Sequence, residues 1–85
     1  MNLWYVYIVR CADDTLYAGI AKDVARRINE HNSDNRLGAK YTKSRRPVQL
    51  VYTESCTSRS EATRREAEIK KMRRSRKEKL FQTAG

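Results

Sequence analysis

Trp4-Tyr5-Val6-Tyr7-Ile8-Val9-Arg10-Cys11, then Ala12-Asp13-Asp14, then Thr15-Leu16-Tyr17-Ala18-Gly19-Ile20: this stretch decides the fold. The first run is aromatic and β-branched, the composition of a strand. Both of its alternating sets are apolar, with Tyr5, Tyr7 and Val9 on one face and Trp4, Val6 and Ile8 on the other. A strand covered on both faces is expected. Ala12-Asp13-Asp14 reads as a turn, and in the second run Leu16, Ala18 and Ile20 alternate with Tyr17 and Gly19. The turn length matters. A three-residue loop pairs Val9 with Tyr17 and Tyr7 with Gly19, so the tyrosines share a face. A two-residue loop puts them on opposite faces, because a slip of one residue inverts the side chains.

Downstream, Asp23 is a good N-cap for a helix from Val24 to about Asn32. At 3.6 residues per turn Val24, Ile28 and His31 line one side, Arg27 lies beside them, and Arg26 and Glu30 are expected to face water. Ser33 to Arg46 reads as a polar loop containing Gly38 and five basic residues, Arg36, Lys40, Lys43, Arg45 and Arg46. Pro47 precedes a third strand from Val48 to Thr53 or Glu54, built around Leu50, Val51 and Tyr52. Ser58 or Ser60 caps a long helix reaching about Met72, with Ala62, Ile69 and Met72 as its apolar side. Glu66 falls at the edge of that side, an expensive place for a carboxylate without a partner. Ser75 starts a short last helix, to about Phe81, with Leu80 and Phe81 packing back. Trp4 and Tyr5 read as core, and Tyr41 as loop.

The totals limit the function classes. Eighty-five residues make one small domain, 1–85, with a modest core and no room for a large cofactor cavity beside a second module. Nineteen Lys and Arg against ten Asp and Glu give a net charge of +9, which points to a polyanionic partner, nucleic acid first. Solubility alone is the bland alternative. A membrane partner is not expected, because no segment has an apolar face long enough for an interface and none spans a bilayer. Nor does the N-terminal apolar run have the basic start and cleavage site of a signal peptide. Cys11 and Cys56 form neither a CxxC pair nor a zinc spacing with the single histidine. Both are read as reduced thiols of a cytoplasmic protein.

The order of these elements resembles a known family. WYVYIVRC, LYAGIAKDVARRINEHN, GAKYT with RRPVQLVY, and RSEATRREAEIKK together look like the GIY-YIG nuclease superfamily, and most closely its small single-domain bacterial branch, the YhbQ-like proteins. No single piece is specific. The joint order, with Arg27 eight residues after Gly19 and His31 four later, is. The resemblance implies an α/β fold, a small three-stranded antiparallel sheet flanked by about three helices in the order β-β-α-β-α-α. It also implies metal-dependent hydrolysis of phosphodiester bonds in DNA. Tyr7 and Tyr17 match the tyrosines of the two motifs, Arg27 the helix arginine, and His31 a histidine that several branches keep. Gly19 matches the motif glycine and Glu66 the metal-binding glutamate. Two positions depart: Tyr5-Val6-Tyr7 stands for Gly-Ile-Tyr, and Ala18 for isoleucine. Neither removes a functional side chain. The extra DNA-binding domain of larger members has no counterpart in this sequence.

The expected chemistry follows from what cutting a phosphodiester requires. One Mg²⁺ or Mn²⁺ ion at Glu66 would serve the phosphate and leaving group, since Mg²⁺ keeps most of its waters and needs little protein ligation. Arg27 would stabilise transition-state charge with its planar fork. Tyr7 is the candidate base and Tyr17 the group that orients water or phosphate. A phenol that titrates near ~10 needs a nearby cation to serve as base, and His31 or a metal-bound water could relay its proton.

Each residue also has an ordinary reading. Tyr7 and Tyr17 fit as core aromatics. Arg27 fits as a salt-bridge partner of Glu30 or Glu66. His31 fits as a helix-end dipole partner, and Glu66 as the counterion of Arg59 or Lys70. Lys40, Arg45, Arg46, Arg64, Arg65 and Lys70, with Lys71, Arg73 and Arg74, are the candidates for phosphate contacts, which give affinity without sequence readout. Gly38 to Thr42 either borders the site or is only a connector. Three functions remain: a DNA endonuclease, a non-catalytic nucleic-acid-binding module of the same fold, and a small basic protein that docks on a ribonucleoprotein. DNA is the expected partner and RNA the next. One small domain has little surface for discrimination, so a homodimer or a protein partner is the expected source of any specificity.

Overall fold

The computed structural model describes residues 3–33 and 40–82, with the side chains of Lys40 and Tyr41 outside the described set. Strand β1 (Trp4–Arg10) is central in an antiparallel sheet of order β2-β1-β3, between β2 (Leu16–Ala21) and β3 (Gln49–Cys56). The turn has the three-residue length. Cys11 N–H donates to the Thr15 carbonyl at 2.8 Å, and Asp14 takes the left-handed φ of 70° that closes such a loop. Aspartate tolerates that conformation because its short polar chain bonds locally. The register then pairs Tyr7 with Gly19 and Val9 with Tyr17.

Two cores follow from the two faces of β1. On one, Val6, Ile8 and Ala18 pack with Ala62 and Ile69 of helix α3 (Arg59–Lys70), and Leu80 and Phe81 of helix α4 (Arg74–Gln82) close over them. On the other, Tyr7, Val9, Cys11 and Ala21 meet Val24 and Ile28 of helix α1 (Val24–Ser33). Val6, Ile8 and Val9 are wholly buried, as a strand with two apolar faces requires. Cys11 and Cys56 are buried free thiols.

The helices start where the caps predict. Asp23 Oδ1 accepts the Arg26 N–H at 3.1 Å, and Ser58 Oγ accepts the Glu61 N–H at 3.1 Å. The Asn32 side chain ties the end of α1 to the start of β3. Its amide donates to the Val48 carbonyl at 3.1 Å, and its oxygen accepts the Val48 N–H at 2.6 Å.

Three details differ from expectation. The polar loop contains a one-turn helix, α2 (Lys40–Lys43), a fourth helical segment in an otherwise expected order. Its Thr42 is fully buried, so one hydroxyl on a polar segment acts as a core group. Glu30 does not face water: its side chain is 19% exposed because Arg26 and Arg27 both draw it in. Tyr5 is only half-buried and belongs to neither core, beside a stretch of β3 where Leu50 is 40% exposed.

Candidate active site

Tyr7 and Gly19 sit opposite each other, so the phenol leans over a residue with no side chain. A Cβ at Gly19 would stand 2.6 Å from Tyr7 Cζ, inside van der Waals contact, and closer still to the hydroxyl. The glycine is thus the space that the phenol occupies. Beyond it Tyr7 Oη lies 2.8 Å from His31 Nε2, and His31 Nδ1 lies 2.9 Å from Thr42 Oγ1. Three side chains from β1, α1 and α2 form a continuous buried chain. The His31 ring is also edge-on to both tyrosines, with centroids 5.9 Å from Tyr7 and 5.6 Å from Tyr17. The Arg46 Nε–H donates to the His31 carbonyl.

Burial governs the protonation states. It pulls the His31 imidazole down to about 4, helped by the positive charge of Arg27 and opposed by Glu30. His31 is therefore neutral at physiological pH. Neutral imidazole has one N–H, so it accepts at one nitrogen and donates from the other. The hydrogen bonds run either from Tyr7 through His31 to Thr42 or from Thr42 through His31 to Tyr7. Burial likewise pushes the Tyr7 phenol up to about 12, although Arg27 beside it pulls the other way. The expectation that a neighbouring cation brings this phenol down is thus corrected for the unliganded protein: Arg27 is in place, but desolvation outweighs it. Arg27 is itself affected by burial, which disfavours its charge. Its hydrogen bond to Glu30 at 3.0 Å and the proximity of Tyr7 outweigh that, and its pKa rises.

Glu66 approaches from α3, around the β2 edge of the sheet. Its carboxylate meets Lys70 Nζ at 3.5 Å, and that ammonium stands 5.7 Å from the Tyr17 ring centre. Glu66 is near enough to Tyr7 for its charge to help hold the phenol up. Tyr7, Tyr17, Arg27, His31 and Glu66 therefore share one region. Among the described residues no three His, Cys, Asp or Glu side chains cluster into a ready-made metal cage. A Mg²⁺ or Mn²⁺ ion fits Glu66 without one, because such ions keep several waters and combine one or two carboxylates with substrate phosphate oxygens.

The expected phosphate contacts divide. Arg45 meets Asp13 at 3.1 Å, and Arg65 meets Glu54 at 3.1 Å and Glu68 at 3.3 Å; these pairs brace loops and α3. Arg46 reaches the His31 backbone, and Lys70 faces Glu66. Arg64 is exposed on α3. The Lys40 side chain lies outside the described residues, as do residues 34–39 with Arg36 and Gly38. Thr42 was legible only as the end of a stretch that either borders the site or connects; its contact with His31 assigns it to the site.

Comparison with known proteins gives concordant matches. The GIY-YIG catalytic domain model matches residues 3–79. The chain is 57% identical to the UPF0213 protein DP2720 of Desulfotalea psychrophila, over 95% of this chain and 73% of that one. It is 56% identical to the UPF0213 protein SSP2268 of Staphylococcus saprophyticus, over 95% and 96%. Among solved structures, the solution structure of the UPF0213 protein BH0048 from Bacillus halodurans is 43% identical with a TM-score of 0.60, covering 98% of this chain and 86% of that one. The solution structure of the E. faecalis protein EF2693 has a TM-score of 0.65 at 42% identity, with the same coverage.

Proposed function

This chain belongs to the GIY-YIG family, among its UPF0213 proteins, and from that premise we propose that it is a metal-dependent endonuclease hydrolysing phosphodiester bonds in DNA. The observation that carries the reading is the Tyr7 hydroxyl, lodged over Gly19 and held 2.8 Å from a buried, neutral His31. A buried phenol needs one hydrogen-bond partner in any case; what goes beyond that need is the convergence of Arg27 and Glu66 on the same hydroxyl.

Tyr7 takes the proton of the attacking water. It is not a preformed base: the phenol first releases its own proton to solvent, and the phenolate so formed takes the proton of the water. With the phenol pushed up to about 12 and the imidazole pulled down to about 4, the Tyr7 proton stays on Tyr7 and does not pass to His31 in the free protein. His31 therefore works as a hydrogen-bond donor. With the Thr42 hydroxyl donating to Nδ1, Nε2–H donates to the Tyr7 oxygen and favours its anionic form. The Glu66 charge holds the phenol up, so neutralising that carboxylate makes Tyr7 easier to deprotonate when substrate arrives. Glu66 would hold the Mg²⁺ or Mn²⁺ ion, which supplies positive charge to the phosphate and leaving oxygen. Arg27, kept charged and oriented by Glu30, stabilises charge on the phosphorane oxygens. Tyr17, against His31, orients water or phosphate.

The test uses labelled single-stranded, duplex and branched DNA with Mg²⁺, Mn²⁺ or EDTA, and wild type beside Tyr7→Phe and Glu66→Ala. Metal-dependent cutting lost in both variants supports the reading. Equal cutting by wild type and Glu66→Ala refutes the metal ligand. Salt-sensitive binding with no cutting in any lane assigns the chain to the non-catalytic binding module.

A further inference from the structure

We propose that the face opposite Tyr7 binds a single-stranded nucleic-acid segment in a groove between β3, α3 and α4. Tyr52 in its floor stands opposite Ile8 in the sheet register, so it projects from the side that Tyr7 does not. The groove has a volume of about 1080 Å³. Its walls carry Arg65, Lys71, Arg73, Arg76 and Lys79 against a single carboxylate, Glu68. Five cations less Glu68 and less Glu54, which bonds both Arg65 and the Tyr52 hydroxyl, is +3, a third of the +9 of the whole chain.

Arg65 is engaged by Glu54 and Glu68 and frames the groove. The other four cations are exposed, and among the described residues none of them forms an ion pair. Elsewhere Arg10, Arg26, Arg27, Arg45 and Arg74 each meet a carboxylate. Four uncompensated like charges around one concavity repel one another in the free protein, and a polyanion relieves that repulsion. The floor selects among polyanions. It is Tyr52, Met72 and Leu80, each half-buried and so partly open to the groove. Cationic walls over an aromatic and apolar floor suit a strand with unpaired bases, whose flat faces meet the floor while its phosphates follow the walls. A duplex hides those faces and touches only the rim. That a strand bound here belongs to the nuclease substrate rests on the proposed function; the binding itself does not.

The probe is a fluorescein-labelled oligothymidylate of about 12 nucleotides, titrated in EDTA so that nothing is cut. The variant is Lys71→Glu/Arg76→Glu/Lys79→Glu, three exposed positions whose change leaves both cores intact. Affinity is expected to fall at least tenfold near 100 mM salt, with the salt slope smaller by about 2, from three contacts at ~0.7 each on a single strand. A control of equal net charge, reversed at exposed Lys22, Lys43 and Arg59, keeps most of the affinity. An equal loss in the control overturns the proposal, as does an unchanged groove variant. Polyglutamate of similar length bound as tightly as the oligonucleotide also overturns it, in favour of an acidic protein partner. If wild type cuts no DNA and the groove variant still loses the oligonucleotide, the groove stands and the nuclease reading falls.

Discussion

Acidification from pH 7 to pH 5 is expected to destabilise this domain through one residue, His31. It is the single histidine of the chain, wholly buried, and its imidazole lies at about 4 instead of 6.5. As pH falls the unfolded chain takes up the proton first, and the native state does not follow until about pH 4. The unfolded state binds more protons in that window, so stability is full above pH 6.5 and declines as pH falls towards 4. Integrating between pH 7 and pH 5 gives a loss of about 2 kcal/mol. For a domain of this size that is on the order of 10 °C in Tm. Urea denaturation followed by the fluorescence of Trp4, at pH 7, 6 and 5, measures it in wild type and His31→Gln. The variant starts less stable, having lost buried hydrogen bonds, but lacks the His-dependent slope, and subtraction removes the carboxylates common to both. Identical slopes would refute the buried neutral histidine, and so would an imidazole that titrates near 6.5 by NMR.

Other substitutions probe the remaining contacts. Gly19→Ala places a methyl against the Tyr7 phenol and is expected to cost about 1–3 kcal/mol and most of the DNA cleavage, read by melting and by the gel assay. Thr42→Val keeps shape but leaves His31 Nδ1 without the hydroxyl 2.9 Å away, for a loss of about 1–3 kcal/mol. Thr42→Ser restores both stability and cutting if the hydroxyl is what counts, and failure of serine to rescue would leave only packing. Asn32→Ala breaks both hydrogen bonds to Val48 and is expected to cost roughly 2 kcal/mol with little change in oligonucleotide binding, measured by denaturation and by titration.

The hairpin was the legible part, because strand alternation and a three-residue turn act locally. Once Ala12-Asp13-Asp14 is the loop, Tyr7 must meet Gly19 and both tyrosines must share a face, whatever the rest of the chain does. The helix starts at Asp23 and Ser58 were legible for the same reason, since a cap bonds within its own turn. The two cores followed from β1 being apolar on both sides. Family membership lay in the joint spacing of Tyr7, Tyr17, Gly19, Arg27, His31 and Glu66, which single motifs do not carry.

What lay beyond local rules was decided by the packing of distant segments. Nothing near Thr42 marks it as the partner of a histidine eleven positions earlier; only the return of α2 over α1 does that. Glu30 lies on the outward stripe of its helix, and two arginines draw it inward. Whether a cation near Tyr7 lowers its pKa depends on how far burial opposes it, a balance set by the sheet, α1 and α2 together. The basic residues looked alike along the chain, yet the fold pairs Arg45 and Arg65 with carboxylates and gathers Lys71, Arg73, Arg76 and Lys79 around one groove. Backbone periodicity and capping are short-range, so they can be read from sequence order. Desolvation and Coulomb energies depend on distances through space, and those exist only once the chain has folded.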